Sequence, residues 1–133
     1  MSAETPFIDT NVLLYLLSAD SGKADVAEEL LRKGGIISVQ VLSEFTSVCS
    51  RKLKMSYGEI REILTTINLV LDVRDLTPTI HESALDIAER YGYSFYDSII
   101  LAAAISAGCS LVYTEDLHSG QQIEDHLLIV NPF

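Results

Sequence analysis

The sequence predicts an α/β fold: a short parallel sheet of four to five strands with helices on both faces. Three observations predict it. Short apolar segments recur along the chain, and longer stretches with helical spacing lie between them. The short segments are apolar throughout rather than alternating, as strands buried on both faces must be. The chain's 133 residues, 48% hydrophobic and 21% charged, suffice for one domain whose core needs no disulfide or metal staple. With no internal repeat or linker visible, the expectation is a single unit over residues 1–133.

Phe7-Ile8, after Pro6, reads as the first strand and stops at Asp9. Val12 to Leu17 reads as a turn or two of buried helix. Residues 22–33 form a helix with Val26, Ala27, Leu30 and Leu31 on one side, and Gly34-Gly35 end it. Ile36-Ile37 is the second strand. Ser38 is placed to cap a helix running to about residue 53, with Val41, Phe45 and Val48 on one face. Ser56-Tyr57-Gly58-Glu59 has capping-box spacing and opens a helix toward Leu71, after which Val73 falls in a third strand. Thr77-Pro78 supplies a cap and a proline at the first helical position. That helix carries Ile80, Ala84, Leu85, Ile87 and Ala88 and ends at Gly92. Ser94 opens a strongly apolar helix ending at Gly108. Leu111-Val112-Tyr113 is the fourth strand, and Leu127 to Val130 the fifth, closing at Asn131-Pro132.

Charge excludes several classes of function. Nine Lys and Arg against 19 Asp and Glu give a net charge of −10, which rules out a binder that works by blanket phosphate neutralisation. The imbalance is uneven: residues 67–133 hold 2 basic and 10 acidic residues, and no lysine follows Lys54. So acidic a half calls for solvation or for counter-charge from a metal or a basic partner. Cys49 and Cys109 form no disulfide framework, and with no signal-peptide pattern at the N-terminus the expected location is cytoplasmic. The longest apolar run, Ile99 to Ile105, is 7 residues, far short of the roughly 20 a membrane helix needs.

Ligands of parallel sheets bind beyond the carboxyl ends of the strands, so the polar residues there carry the functional information. Asp9-Thr10-Asn11 follows the first strand and Thr114-Glu115-Asp116 the fourth. Asp97 lies in the first turn of the apolar helix, and Glu44 flanks the apolar stripe of the helix after the second strand. Each acid alone has an ordinary explanation: Asp9 a helix cap, Glu44 a solvated helix position, Asp97 the partner of the Ser94 cap, Asp116 a turn residue. Jointly these explain poorly why acids follow both strand ends and open a buried helix. Carboxylates gathered without basic partners repel one another, and a divalent cation removes that cost. Oxygen-only ligands indicate Mg²⁺ or Mn²⁺. Zinc fits badly, because His81, His118 and His126 lack ligand spacing and the cysteines are isolated. Arg51, Lys52 and Lys54 are the one basic cluster, read either as a solvated helix end or as a contact for a phosphate-bearing partner. Tyr15, Tyr93, Tyr96 and Tyr113 suit core packing or base stacking.

FIDTNVLLYLL, SVQVLSEF, FYDSIILAAAISAG and LVYTEDLHSGQ, in that order and spacing, resemble the four acidic motifs of PIN-domain ribonucleases. Size and spacing look most like the VapC-like toxins of bacterial toxin–antitoxin pairs, and the resemblance runs from Phe7 to the terminal Phe133. It implies a PIN-like three-layer fold and an endoribonuclease dependent on Mg²⁺ or Mn²⁺. It assigns Asp9, Glu44, Asp97 and Asp116 to the catalytic acids, with Asp9, Asp97 and Asp116 as metal ligands. Asn11 and Thr114 match supporting polar positions. Glu115 is a departure, since two acids compete for the last position. Asp116 is favoured, and Glu115 is kept as a supporting or substitute ligand. The implied partners are an RNA substrate, a cognate antitoxin whose basic segment enters the acidic site, and a second copy of the chain in a homodimer, with no membrane.

Two other classes compete. A receiver-like or aspartyl-phosphate phosphoryl-transfer domain also gathers aspartates and Mg²⁺ at a sheet end, but usually adds a lysine there. A catalytically inactive binding module would not need four acidic motifs intact. A hydrolase of small phosphate esters is a weaker third.

Overall fold

In the computed structural model the described residues are 5–133, so the first four residues of the expected unit lie outside them. The sheet has six strands: β1 (Phe7–Ile8), β2 (Ile36–Ser38), β3 (Asp72–Arg74), β4 (Leu111–Tyr113), β5 (Gln122–Ile123) and β6 (Leu127–Val130), in the order β3-β2-β1-β4-β6-β5. Five are parallel, as expected. The sixth, β5, pairs antiparallel with β6, an addition to the purely parallel sheet the sequence suggested. Helices connect the strands: α1 (Thr10–Leu14) and a 3-10 turn (Tyr15–Leu17), α2 (Ser21–Lys33), α3 (Val39–Arg51), α4 (Tyr57–Val70), α5 (Pro78–Tyr91) and α6 (Phe95–Ser106). None is long and apolar enough to cross a membrane among the described residues.

Local chemistry sets most boundaries. The α4 capping box is complete: Ser56 Oγ accepts the Glu59 N–H at 3.1 Å, and the Glu59 carboxylate accepts the Ser56 N–H at 2.9 Å. Thr77 caps α5 through the Ile80 N–H, with Pro78 at its first position, and Gly92 ends it at φ 79°. Ser38 departs from expectation. It stands at the N-cap of α3, but its hydroxyl is buried and makes no cap bond. Helix α6 is apolar nearly all round because it is buried between the sheet and α5, with Leu101 and Ala104 wholly inaccessible.

Gly35 is required by packing, not by conformation. A Cβ there would lie 2.8 Å from Ile8 Cδ1 and 3.1 Å from the Pro6 carbonyl, because β2 enters the sheet hard against β1. Gly35→Ala is therefore expected to lower stability by about 1–3 kcal/mol. Denaturant unfolding measures it, and an unchanged midpoint would contradict the close approach.

The chain runs from β1 outward through β2 and β3, then returns to place β4 on the other flank of β1. The strand order thus reverses between β1 and β4. That reversal opens a crevice beyond the carboxyl ends of these two strands, the general location of ligand sites in such sheets.

Candidate active site

Asp9 stands in that crevice at the end of β1, only 5% exposed. Its backbone N–H donates to the Tyr113 carbonyl of β4 at 3.0 Å, which fixes the two strand ends together. Its Oδ1 accepts the Thr10 N–H at 2.7 Å, so it does cap α1. Its Oδ2 accepts the Thr114 hydroxyl at 2.9 Å. That hydroxyl in turn accepts from Asn11 Nδ2 at 3.1 Å and from the Asp116 N–H at 3.2 Å, which uses its one proton and both lone pairs. Asn11 Nδ2 also donates to Asp116 Oδ2 at 3.0 Å, and Asn11 Oδ1 accepts the Glu115 N–H at 3.0 Å. The loops after β1 and β4 are thereby laced into one polar unit.

Burial pushes the Asp9 carboxyl up to about 7, and the charges of Glu44 and Asp97 push the same way, against the hydrogen bonds from Thr10 and Thr114. Both acids are half-buried. Glu44 Oε1 accepts the Thr10 hydroxyl at 2.7 Å, and its Oε2 accepts from Gln40 Nε2 at 3.2 Å. The Asp97 N–H bonds Ser94 Oγ at 3.1 Å, but the Asp97 carboxylate returns no bond to Ser94. It does not complete a capping box, and its charge is felt at Asp9 instead.

Glu115 goes elsewhere. Its carboxylate accepts from the Tyr15 hydroxyl at 2.7 Å and from Lys23 Nζ at 3.2 Å, and these partners, Tyr15 first, hold its pKa below the ordinary value. Its backbone belongs to the polar unit; its carboxylate is tied to α2. Asp116 is exposed, and its Oδ2 accepts from Asn11. Sequence reasoning missed Thr10, Gln40 and Lys23. Gln40 had a readable signal, because it lies one helical turn before Glu44 on the same face.

The structure thus brings Glu44 and Asp97 within electrostatic reach of Asp9 and joins Asp116 through Asn11. Among the described residues, no three His, Cys, Asp or Glu side chains are gathered closely enough to hold a metal ion as they stand. The donor chemistry nonetheless fits a hard divalent cation: every candidate atom is oxygen, and none of the four acids has an ion-pair partner among the described residues. Arg51, Lys52 and Lys54 are exposed at the far end of α3, roughly 10 Å along its axis from Glu44. A groove of about 320 Å³, lined by Leu14, Tyr15, Val48 and Leu53, runs from Asn11 toward them.

The PIN domain family model matches residues 7–119, a span holding both strand ends and all four acids. The chain belongs to the PIN domain family. Among solved structures, this PIN domain is similar to a toxin–antitoxin complex from Klebsiella pneumoniae (TM-score 0.74, 19% identity, 97% of this chain and 98% of that one). It is also similar to VapBC2 from Rickettsia felis bound to a promoter DNA fragment (0.69, 19%, 96% and 98%). A third likeness is to Mycobacterium tuberculosis VapC20, a toxin that cleaves the sarcin–ricin loop (0.67, 22%, 84% and 90%). At these identities the likeness is one of fold. A search of curated protein sequences found no match.

Proposed function

We propose that this PIN domain is a divalent-metal-dependent endoribonuclease, the toxin of a toxin–antitoxin pair. The observation that carries the reading is Asp9: a carboxyl buried at the strand-order reversal, raised to about 7, facing two further acids and no cation of the protein's own. Such a group is costly to the fold unless a cation meets it. The toxin–antitoxin membership of the structural neighbours supports the biological setting.

Asp9, Asp97 and Asp116 would hold Mg²⁺ or Mn²⁺, which supplies charge neutralisation for the phosphate and a more acidic water. The protein's own groups do the rest. Thr114 and Asn11 orient Asp9 and Asp116 as supporting hydrogen bonds do around metal-binding carboxylates. Glu44, held by Thr10 and Gln40, offers its free lone pairs to the proton of the attacking water. The net negative site leaves RNA binding to groups outside it, for which Arg51, Lys52 and Lys54 beside the groove are candidates. An antitoxin fits the same site by presenting a basic segment to the acids, and a homodimer is the proposed assembly.

Metal binding to the native state alone raises stability, by about 2.7 kcal/mol at 100 times the dissociation constant. Melting temperature is expected to rise with Mg²⁺ or Mn²⁺ and not with NaCl of equal ionic strength; identical melts would remove the metal site. The function itself is tested by sequencing RNA ends after brief expression. Discrete new ends in wild type, absent with Asp9→Asn, are expected. The same ends from both chains would exclude this site as the nuclease.

A further inference from the structure

Gln40 lies in the first turn of α3 and is 8% exposed. Its Nε2 donates twice, to Glu44 Oε2 at 3.2 Å and to the Tyr96 carbonyl at 3.1 Å. Both partners are acceptors, so only the NH₂ edge of the amide satisfies them; turned over, the carbonyl would face two oxygens. Its own Oε1 is buried with no hydrogen-bond partner among the described residues. An unpaired buried carbonyl destabilises a fold. A methionine, unbranched and adaptable, would fill the same space without one. Packing therefore does not account for a glutamine here; its NH₂ group does.

The two acceptors matter by position. Glu44 is on α3, and Tyr96 immediately precedes Asp97 on α6. One amide spans the two helices that carry separate acids of the site. With the Thr10 hydroxyl on Oε1 at 2.7 Å, the Glu44 carboxylate has a donor on each oxygen and cannot turn about a single anchor.

We propose that Gln40 is a positioning residue: it fixes the Glu44 carboxylate and ties the first turn of α6 to it, so that Glu44 and Asp97 face Asp9 in one arrangement. The proposal rests on the nuclease reading for its catalytic consequence, but the Gln40–Glu44 linkage stands on hydrogen bonds that do not depend on it.

Gln40→Met and Glu44→Gln, singly and combined, test it by RNA cleavage kinetics and thermal unfolding. Supporting groups of this kind typically contribute 10–100-fold, so Gln40→Met is expected to lower kcat by about that factor with KM unchanged and melting temperature retained. Adding it to Glu44→Gln should cost nothing more. Undiminished kcat, or losses that multiply in the double variant, would overturn the proposal. Where the methionine variant folds poorly, Gln40→Glu keeps the shape and replaces the donor edge with an acceptor, and it must lose at least as much. If wild type cleaves no RNA, the nuclease reading fails, and melting alone decides the linkage. A Gln40→Met effect on melting that differs between the wild-type and Glu44→Gln backgrounds then supports it, and the same effect in both overturns it.

Discussion

Asp97→Asn is expected to lower RNA cleavage by roughly 10²-fold or more while leaving the metal-free protein at least as stable as wild type. The two roles open to this residue differ in sign. A carboxylate that completes a helix cap stabilises by about 0.3–1 kcal/mol, and neutralising it would lower the melting temperature. The Asp97 carboxylate makes no such bond, since only its backbone N–H meets Ser94, so neutralising it loses at most its first-turn attraction to the helix dipole. Its charge instead helps push Asp9 up, so neutralising it relieves repulsion. Asparagine keeps the shape, and no partner of the carboxylate has to be exchanged. Melting in EDTA at pH 7 beside a cleavage assay reads both effects. A clear drop in melting temperature with cleavage retained would return Asp97 to a structural role.

The second large effect is a pH dependence of the metal-free fold. The Asp9 carboxyl is raised from 3.8 to about 7 in the native state, so the folded protein holds a proton that the unfolded chain releases. The stabilisation this gives is fully present below pH 3.8 and is lost as pH rises through about 7. In EDTA, wild type should lose stability relative to Asp9→Asn between pH 5 and pH 8, by of the order of a few kcal/mol. The slope is the informative quantity. The absolute level also carries a misfit, because the Asn amide would confront the Thr114 hydroxyl, which now donates to Asp9. Saturating Mg²⁺ or Mn²⁺ should flatten the wild-type curve by meeting the ionised carboxylate. Parallel curves for the two proteins in EDTA would show that Asp9 is ionised at no cost.

Much of this was legible in the residues. Short apolar runs marked β1, β2, β4 and β6, with Val73 alone marking β3, and Ser56, Thr77-Pro78, Ser94 and Gly92 marked helix ends by chemistry that acts within a few residues. The acids after β1 and β4 were readable because a strand-end rule places them without knowledge of the full topology. What was not legible depended on distant or atypical partners. The β5–β6 hairpin turns through Glu124 and Asp125, at φ 53° and 58°, with no Gly or Asn to signal it. That turn is held from outside by Tyr91 and Arg90 of α5. That the Glu115 carboxylate turns to Tyr15 and Lys23 depended on residues far away in sequence. Tyr96 is 68% exposed rather than packed in the core, because its backbone carbonyl, not its ring, faces α3. Ser38 looked like a cap by type and position, yet its hydroxyl is turned into the interior.

The acids at the reversal between β1 and β4 are proposed to cleave RNA with a divalent cation. The most direct measurement is cleavage of a structured RNA by purified protein while Mg²⁺ or Mn²⁺ is titrated from excess EDTA, with Asp97→Asn in parallel. Wild type is expected to be inactive in EDTA, to gain activity saturably with the cation, and to make internal cuts that Asp97→Asn does not. Equal cleavage with and without the cation, or equal cleavage by both proteins, would contradict the proposal.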